Sequence, residues 1–312
     1  MKICILGAGA LGCSIGGVLA MGGSDVILID RNQPHVDAIN GAGLKMRIGD
    51  EEKTVKVKAY TSPAGLEPVD LVVILVKSFA TRAAIESARN LVGPDTLVMS
   101  IQNGLGHEEI LAEVVGREHV LAGKTYVGGV FLEPGRIISG YKGKHTYIGE
   151  LDGRLTPRLQ AVVGEFNKAD LLTTASTNIM GTMWDKLMVN VAAGALCGIT
   201  RLPYGWLYKI PEIEEAGVAA VAEAIAVAKA NHIRLTSEEP KYYWDLAAEG
   251  LPADFKTSML QSLEKGQMTE IDFINGAVVR WGERSGIPTP VNRTLVACIK
   301  GIENWIVSFG NQ

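Results

Sequence analysis

Cysteine is scarce in this sequence, and the cysteines that occur are widely separated. They are Cys4, Cys13, Cys197 and Cys298, and no two of them form a C-x-x-C pair. Zinc sites and disulfide scaffolds usually show closely spaced cysteines, so neither is expected here. We predict small buried thiols in a reducing compartment, and no bound metal ion.

The sequence also lacks any run of basic residues. It carries 30 Lys and Arg against 34 Asp and Glu, which gives a formal net charge of −4. Because nucleic-acid binding needs clustered cations that neutralise phosphates, this composition argues against a nucleic-acid partner. With 47% hydrophobic residues the chain can bury a sizeable core, so it is not expected to be disordered.

Long uncharged runs are limited to one segment. Residues 3–23 contain no charged residue and superficially resemble a signal peptide or a membrane span, but seven of these 21 residues are glycine. Each glycine costs about 1 kcal/mol in a helix interior relative to alanine, which disfavours a spanning helix. No other stretch approaches 18 apolar residues, so we expect a cytoplasmic protein without a membrane partner.

Glycine is abundant, with 36 residues in 312, against a typical level of roughly 7%. Short apolar runs at residues 2–6, 26–30, 70–76 and 96–101 are separated by helix-like segments. Strands that alternate with helices indicate βαβ units and a parallel sheet. Segments 55–59 and 128–149 show alternation and turn residues instead, and we interpret them as antiparallel additions to the same domain.

The pattern changes near residues 174–178. Beyond them apolar residues recur at helical spacing, and Pro290 suits the first turn of the last helix because that position needs no N–H. The sequence therefore predicts an α/β domain over residues 1–177 and an all-α domain over residues 178–312.

The early glycines form a recognisable motif. Gly7-Ala8-Gly9-Ala10-Leu11-Gly12 is a G-x-G-x-x-G sequence placed after a predicted strand and at the start of a predicted helix. In such a motif the first glycine permits a tight turn, the second admits a pyrophosphate, and the third lets helix and strand pack closely. The free N–H groups of the helix N-terminus then favour the phosphates. We predict a dinucleotide site here.

The end of the second predicted strand leaves the cofactor open. Asp30 lies 21 residues after Gly9, where an acid accepts hydrogen bonds from the ribose 2′-hydroxyl of NAD. Arg31 follows it, and an arginine there can hold the 2′-phosphate of NADP. The spacing alone favours neither.

Five further segments complete a resemblance. The chain resembles the ketopantoate reductase (2-dehydropantoate 2-reductase) family over nearly its whole length. The matching segments beyond the glycine motif are V-K-S at 76–78, Q-N-G at 102–104, W-D-K-L-M-V-N at 184–190, S-M-L-Q at 258–261 and T-E-I-D-F-I-N-G at 269–276. The resemblance implies a Rossmann domain followed by a helical domain, and an arginine at the position of Arg31 favours NADP (NADPH) over NAD.

Reduction of a keto group needs a proton donor as well as a hydride. All five histidines lie outside the motifs. Lys186 is a better candidate because a lysine can polarise a carbonyl and donate a proton, and Asn190, four residues on, shares its helix face. The resemblance implies the same role, since Lys186 matches the general-acid lysine of the family.

The resemblance also assigns other residues. Glu270 matches a catalytic glutamate, although the helix dipole would equally favour a glutamate in a first turn. Ser258 matches a substrate-binding serine, with a helix N-cap as its alternative. The implied cofactor-binding residues are Gly7, Ala8, Gly9, Ala10, Leu11, Gly12, Arg31, Lys77, Asn103 and Gly129, and the implied substrate-binding residues are Asn103, Lys186, Asn190 and Ser258.

Two positions depart from the family pattern. Gly194 and Phe255 stand where many members carry asparagine, which suggests a less polar pocket. The expected function is NADPH-dependent reduction of a 2-keto acid, foremost 2-dehydropantoate to pantoate in pantothenate and coenzyme A biosynthesis. The alternatives are an NAD(P)-dependent enzyme for a less polar 2-keto or hydroxy acid, and a non-catalytic dinucleotide sensor. Trp206, Leu207 and Tyr208 suit a core or an interface, so the oligomeric state, a homodimer included, stays open.

Overall fold

The computed structural model describes residues 1–309. The strands are β1 Lys2–Leu6, β2 Asp25–Ile29, β3 Leu44–Ile48, β4 Glu51–Val55, β5 Lys58–Tyr60, β6 Leu71–Ile74, β7 Leu97–Ser100, β8 Val120–Thr125, β9 Gly128–Glu133, β10 Arg136–Gly140, β11 Thr146–Gly149 and β12 Thr173–Ala175. The α-helices are α1 Ala10–Met21, α2 Gln33–Ala42, α3 Thr81–Ser87, α4 His107–Val115, α5 Pro157–Lys168, α6 Ile179–Thr200, α7 Tyr204–Leu207, α8 Pro211–Ala230, α9 Pro240–Ala248, α10 Ser258–Glu264, α11 Asn275–Ser285 and α12 Pro290–Phe309. Short 3-10 turns lie at Ser78–Ala80, Arg89–Leu91, Arg117–His119 and Ile271–Phe273.

The chain divides into two compact units. The sheet unit comprises Met1–Gln102 and His107–Ile179, and the helical unit comprises Asn103–Gly106 and the residues from Met180 onward. The predicted division at residues 177 and 178 lies two residues before the change of unit. The segment Asn103–Gly106 is separated from the rest of its unit in sequence, and no local pattern predicts that placement.

The sheet unit contains a doubly wound parallel sheet. Its strand order is β12-β11-β8-β7-β6-β1-β2-β5, and every neighbouring pair from β8 to β5 is parallel. Helices cover both faces, so alternate residues of β1 enter separate cores: Ile3 and Ile5 one, Cys4 and Leu6 the other. The predicted strands at 2–6, 26–30, 70–76 and 96–101 are confirmed as β1, β2, β6 and β7, with small shifts at their ends.

A separate four-stranded sheet has the order β4-β3-β10-β9. The prediction of antiparallel additions is correct for the pairs β9–β10 and β8–β11 and for Val55, which pairs with β3. It is wrong for residues 58 and 59, since β5 pairs parallel with β2 in the main sheet. Strand β3 was not predicted, and it pairs parallel with β10. Alternation shows that one face of a strand is buried, but it does not identify the neighbouring strand.

Within the described residues the helical unit contains helices and loops but no strand. Helix α12 begins at Pro290, as the sequence predicts, and its first turn is capped by a side chain from α8. The Glu223 carboxylate accepts hydrogen bonds from the backbone N–H groups of Val291 and Asn292 and from the Asn292 amide. The amide of Asn275, on α11, donates to Asn292. These bonds satisfy donors that a helix end leaves unpaired.

Three of the four cysteines are buried and unpaired, as expected, and burial raises the pKa of Cys4 to about 12. The prediction of burial is wrong for Cys298, which is exposed. Helix α12 buries Leu295, Ile299 and Glu303 at four-residue spacing, and residue 298 lies off that face. Of the helices described between residues 1 and 309, none has the length and apolar character to cross a membrane.

Candidate functional site

The turn between β1 and α1 is built from close backbone contacts. The N–H groups of Gly7 and Ala8 both donate to the carbonyl of Ile29, at the end of β2. Gly7 has φ +103°, and a Cβ there would lie 2.5 Å from the backbone nitrogen of Val76. A Cβ on Gly12 would overlap the carbonyl oxygen of Gly7. These two positions therefore require glycine for reasons inside the protein.

Gly9 differs from both neighbours. A Cβ built on it meets no atom within 4 Å, and its φ of −66° suits any residue. It is the N-cap residue of α1 and, having no side chain, leaves the first turn without a side-chain cap from that position. Open space beside an uncapped helix N-terminus fits the pyrophosphate of a dinucleotide.

Other glycines allow elements to approach this turn. Gly129, on β9, faces the Ala10 carbonyl, because a Cβ on it would lie 3.0 Å from that oxygen. Gly16 packs against Ile5 and Leu28, so α1 lies close to the sheet for a second turn. The structure thus brings the predicted residue Gly129 to the glycine motif.

His35 braces the same turn, and sequence reasoning missed it. Its Nδ1 accepts a hydrogen bond from the Gly135 N–H at 2.9 Å, which leaves the proton on Nε2. That Nε2 lies 2.9 Å from the carbonyl oxygen of Ala8 and donates to it. The ring is 1% exposed and links α2 to the β9–β10 turn. Its partners are 27 and 100 residues away, so no local signal indicates them.

Asp30 and Arg31 lie directly after β2. Asp30 is half-buried and accepts a hydrogen bond from the Asn32 N–H at 3.0 Å, whereas Arg31 is exposed. An acidic and a basic side chain are therefore adjacent at the strand end where the adenosine ribose of a dinucleotide binds in such folds.

The Gln102 side chain fixes the loop that carries Lys77. Its amide donates to the Val76 carbonyl at 2.6 Å and to Thr81 at 3.0 Å, and its oxygen accepts from Ser100 at 2.8 Å. Lys77 follows Val76 and is exposed at the carboxyl edge of the sheet. The Q-N-G motif thus contributes a structural glutamine, a role that the sequence did not suggest.

Lys186 and Asn190 are both half-buried on α6, four residues apart, as the helical spacing requires. The adjacent Asp185 anchors this helix. Its carboxylate accepts hydrogen bonds from the Thr236 N–H, the Thr236 hydroxyl and the Tyr243 hydroxyl, at 2.6–3.0 Å. Burial, followed by the bond to Asp185, raises the pKa of Tyr243 above its ordinary value.

Asn103 and Glu270 belong to the same unit despite their separation in sequence. The N–H of Leu105 donates to the Phe273 carbonyl at 2.9 Å, and Gly104, with φ +94°, leaves no room for a Cβ beside that carbonyl. Glu270 precedes the 3-10 turn at Ile271–Phe273 and makes no side-chain cap there. The structure therefore brings Asn103 near the segment that begins with Glu270.

Ser258 is not the N-cap of its helix. Thr257 has that role, since its side chain accepts a hydrogen bond from the Leu260 N–H, and Ser258 is the first, exposed residue of α10. The two positions that depart from the family pattern have different surroundings. A Cβ on Gly194 would meet only Met259 among the described residues, at 4.0 Å, so space exists there. Phe255 packs on Tyr204, with ring centroids 5.0 Å apart. Trp206 is 63% exposed, whereas Leu207 lies in the core.

Two family models match this chain. The model described as ketopantoate reductase PanE/ApbA matches residues 3–153, and the C-terminal model of the same family matches residues 178–303. The chain belongs to this family. The predicted resemblance and the predicted order of an α/β domain and a helical domain are confirmed.

Relatives in the ketopantoate reductase family match nearly the whole chain. The 2-dehydropantoate 2-reductase of Pyrococcus horikoshii is 36% identical over 97% of this chain and 98% of its own length. A solved PanE/ApbA family ketopantoate reductase from Ralstonia eutropha has a TM-score of 0.90 at 34% identity, over 98% of this chain and 100% of its own. A D-mandelate dehydrogenase, solved with NADH and anilino(oxo)acetate, has a TM-score of 0.91 at 27% identity, with the same coverage.

Proposed function

We propose that this protein reduces 2-dehydropantoate to pantoate with NADPH, a step of pantothenate and coenzyme A biosynthesis. The observation that carries the proposal is the open space at Gly9, beside an uncapped helix N-terminus, in a member of the ketopantoate reductase family that also has Lys186 and Asn190 on one helix face. Curated relatives with this activity align along 97% of the chain.

Each candidate site residue would have a separate role in binding or catalysis. The N–H groups at the start of α1 and the space at Gly9 would hold the cofactor pyrophosphate, with Lys77 and Asn103 as further polar contacts. The bound cofactor supplies the hydride to the keto carbon. Lys186 would donate the proton to the keto oxygen, and Asn190 would orient that oxygen by a hydrogen bond. Ser258 would donate to the substrate carboxylate, and Glu270 would orient the catalytic groups.

NADPH is preferred over NADH in this proposal because of Arg31. The Asp30 carboxylate is engaged by the Asn32 N–H, whereas the exposed guanidinium of Arg31 presents donors suited to a 2′-phosphate. Asp30 remains the reason to test NADH.

A second candidate is reduction of a less polar 2-keto acid. The space beside Gly194 and the aromatic surface of Phe255 would favour a bulkier apolar substituent over a hydroxylated one. The similarity to a D-mandelate dehydrogenase, at a TM-score of 0.91, is consistent with that alternative.

The test is steady-state kinetics of the purified protein with NADPH and NADH across 2-dehydropantoate, pyruvate, 2-ketoisovalerate and benzoylformate. We expect the highest kcat/KM with NADPH and 2-dehydropantoate. A large preference for benzoylformate would replace the first candidate by the second. Absence of turnover with every pair would overturn both and leave a dinucleotide sensor.

A further inference from the structure

Two buried side chains hold one carbonyl oxygen of the glycine motif. The Nε2–H of His35 donates to the Ala8 oxygen at 2.9 Å, and the Cys13 thiol donates to the same oxygen at 3.0 Å. A carbonyl oxygen has two lone pairs, so these donors occupy both of them. Burial, followed by the charge of Asp30, raises the pKa of Cys13, so the thiol keeps the proton that it donates. All three bonded residues are almost fully buried, and water has little access to either bond.

The His35 ring is also held from its other nitrogen. Its Nδ1 accepts a hydrogen bond from the Gly135 N–H, in the turn between β9 and β10, at 2.9 Å. A Cβ on Gly135 would lie 2.8 Å from the Cβ of Ala38, so this turn packs closely on α2. The Phe131 ring packs on the imidazole, with centroids 5.0 Å apart. These contacts fix the ring in the orientation in which Nε2 donates to Ala8.

The Ala8 carbonyl belongs to the same peptide group as the Gly9 N–H. This peptide group is planar and trans, so the two bonds point in opposite directions. A fixed Ala8 carbonyl therefore fixes the direction of the Gly9 N–H, away from His35. Among the described residues, no backbone carbonyl accepts a hydrogen bond from that N–H. It lies at the N-cap of α1, where a Cβ on Gly9 would meet no atom within 4 Å.

We propose that His35 is a positioning residue for dinucleotide binding, because its hold on the Ala8 carbonyl keeps the Gly9 N–H directed at the cofactor pyrophosphate. An N–H group that already points at a phosphate binds it without a further ordering cost. Without His35, only the weak S–H donor of Cys13 would hold this peptide group. The inference rests on the dinucleotide binding in the proposed function, and it involves residues of the sheet unit alone.

The two nitrogens of His35 can be tested separately. The side-chain amide of glutamine reaches the position of Nε2, and that of asparagine reaches the position of Nδ1. His35→Gln therefore keeps a donor for Ala8 and loses the acceptor for Gly135, whereas His35→Asn does the reverse. Each variant loses one buried hydrogen bond, so both should lower Tm by a few degrees. Thermal melts without cofactor would measure this structural effect.

Only His35→Asn should weaken cofactor binding. We expect it to raise the Kd of NADPH about tenfold, and His35→Gln to stay within about twofold of wild type. Fluorescence titration of the purified full chain with NADPH would measure both values. An unchanged Kd in His35→Asn, or equal weakening in the two variants, overturns the inference.

NADH distinguishes an effect on the pyrophosphate from an effect on the adenosine ribose. His35 is also linked to the adenosine side, because its N–H donates to the Asn32 side chain at 3.3 Å and the Asn32 N–H donates to Asp30. Both cofactors contain the same pyrophosphate, so His35→Asn should raise their Kd values by the same factor. A larger factor for NADPH would mean that His35 acts through Asp30 and Arg31, and would overturn the inference.

The neighbouring residues Cys13 and Ser14 provide a second test and its control. Cys13→Ala removes the other donor to the Ala8 carbonyl and should raise the Kd of NADPH about threefold. Ser14→Ala removes a buried hydrogen bond to Ser139, at 2.5 Å, that does not involve Ala8. It should lose stability and bind NADPH normally. If His35→Asn does not fold, this pair decides, and equal Kd values in the two variants overturn the inference.

Failure of the inference and failure of the proposed function are distinguishable. If wild type turns over a 2-keto acid and His35→Asn binds NADPH normally, only the role of His35 is overturned. If wild type binds NADPH but turns over no 2-keto acid, the proposed reaction fails, and the Kd of His35→Asn still decides the inference. If wild type binds neither NADPH nor NADH, both are overturned.

Discussion

At the glycine turn of the sheet unit the decisive contacts join backbone atoms, whereas in the helical unit they join side chains from distant parts of the sequence. Neither Gly7 nor Gly12 has room for a side chain, because a Cβ on either residue would collide with backbone atoms. Helix α6, which carries Lys186, is instead anchored through Asp185 to Thr236 and Tyr243, 51 and 58 residues away. A substitution at Gly7 or Gly12 therefore meets backbone atoms, whereas the position of α6 depends on side chains from distant parts of the sequence.

The difference predicts which experiments report on folding and which on chemistry. A backbone contact cannot be relieved by a rotamer change, so a substitution at Gly12 must shift the chain. The half-buried functional side chains of the helical unit can lose atoms at their tips while the packing below them stays intact. Substitutions in the two regions should therefore have separable effects.

Lys186→Ala should have the largest functional effect. We expect kcat to fall about 10²- to 10⁴-fold, since a positioned general acid contributes that much, while the Kd for NADPH and the Tm change little. Stopped-flow measurement of NADPH oxidation and a fluorescence titration would check both. Lys229→Ala, which removes an exposed helix lysine paired with Glu238, is the control and should be neutral. A fall in Tm equal to that of a core variant would mean that Lys186 supports the fold instead.

Gly12→Ala and Gly9→Ala test the sheet unit as a matched pair. A Cβ on Gly12 overlaps the Gly7 carbonyl, so we expect a loss of about 3 kcal/mol in the free energy of unfolding, or about 6–12 °C in Tm. A Cβ on Gly9 meets nothing in the protein, so Gly9→Ala should keep its Tm but bind NADPH about tenfold more weakly. If both variants lost stability equally, Gly9 would have no special place at the turn.

The predictability of each region from sequence follows the same division. The roles of Gly7, Gly9 and Gly12 were predictable because the whole motif lies in one strand–turn–helix unit, although Gly7 also approaches the distant backbone of Leu75 and Val76. The pairing of β3 with β10 was not, since it joins residues about 90 positions apart. The contacts of His35 with the glycine turn were unpredictable for the same reason, since its partners are 27 and 100 residues away.

In the helical unit the spacing of Lys186 and Asn190 predicted a shared helix face, because 3.6 residues per turn dictate it. The sequence could not place Asn103 with the Glu270 segment, because that depends on the Leu105–Phe273 bond between distant residues. It also left Ser258 with two interpretations, and the cap at Thr257 excludes one of them, the N-cap.

The sheet unit also depends on side-chain contacts away from the glycine turn, and the ion pair of Glu150 and Arg158 is one of them. Two hydrogen bonds from Arg158, at 2.6 and 2.7 Å, hold the pKa of Glu150 below its ordinary value of 4.5 despite its burial. A lowered folded pKa contributes stability above pH 4.5, and this contribution is lost as the pH falls through the folded pKa. Glu150→Gln should therefore lower Tm by several degrees at pH 7, and the gap to wild type should close as the pH falls below 4.5 and through the lowered folded pKa.

Calorimetric Tm values between pH 3 and pH 7 would measure that gap. Glu51→Gln is the control, because Glu51 is exposed and its pair with Lys53, at 3.9 Å, should contribute little. A gap that stays constant with pH would mean that the Glu150 charge does not stabilise the folded state.

The smallest expected effects come from Thr257 and Ser258, adjacent residues with opposite roles. Thr257→Ala removes the N-cap of α10 and should cost about 1 kcal/mol, or 2–4 °C in Tm, without affecting the KM for the 2-keto acid. Ser258→Ala should keep its Tm, because this exposed hydroxyl caps nothing, but raise that KM several-fold through the loss of one hydrogen bond. Thermal melts and steady-state kinetics on both variants separate the roles. If the two results were exchanged, Ser258 would be the structural residue, and stability and substrate contact would not be separable in the helical unit.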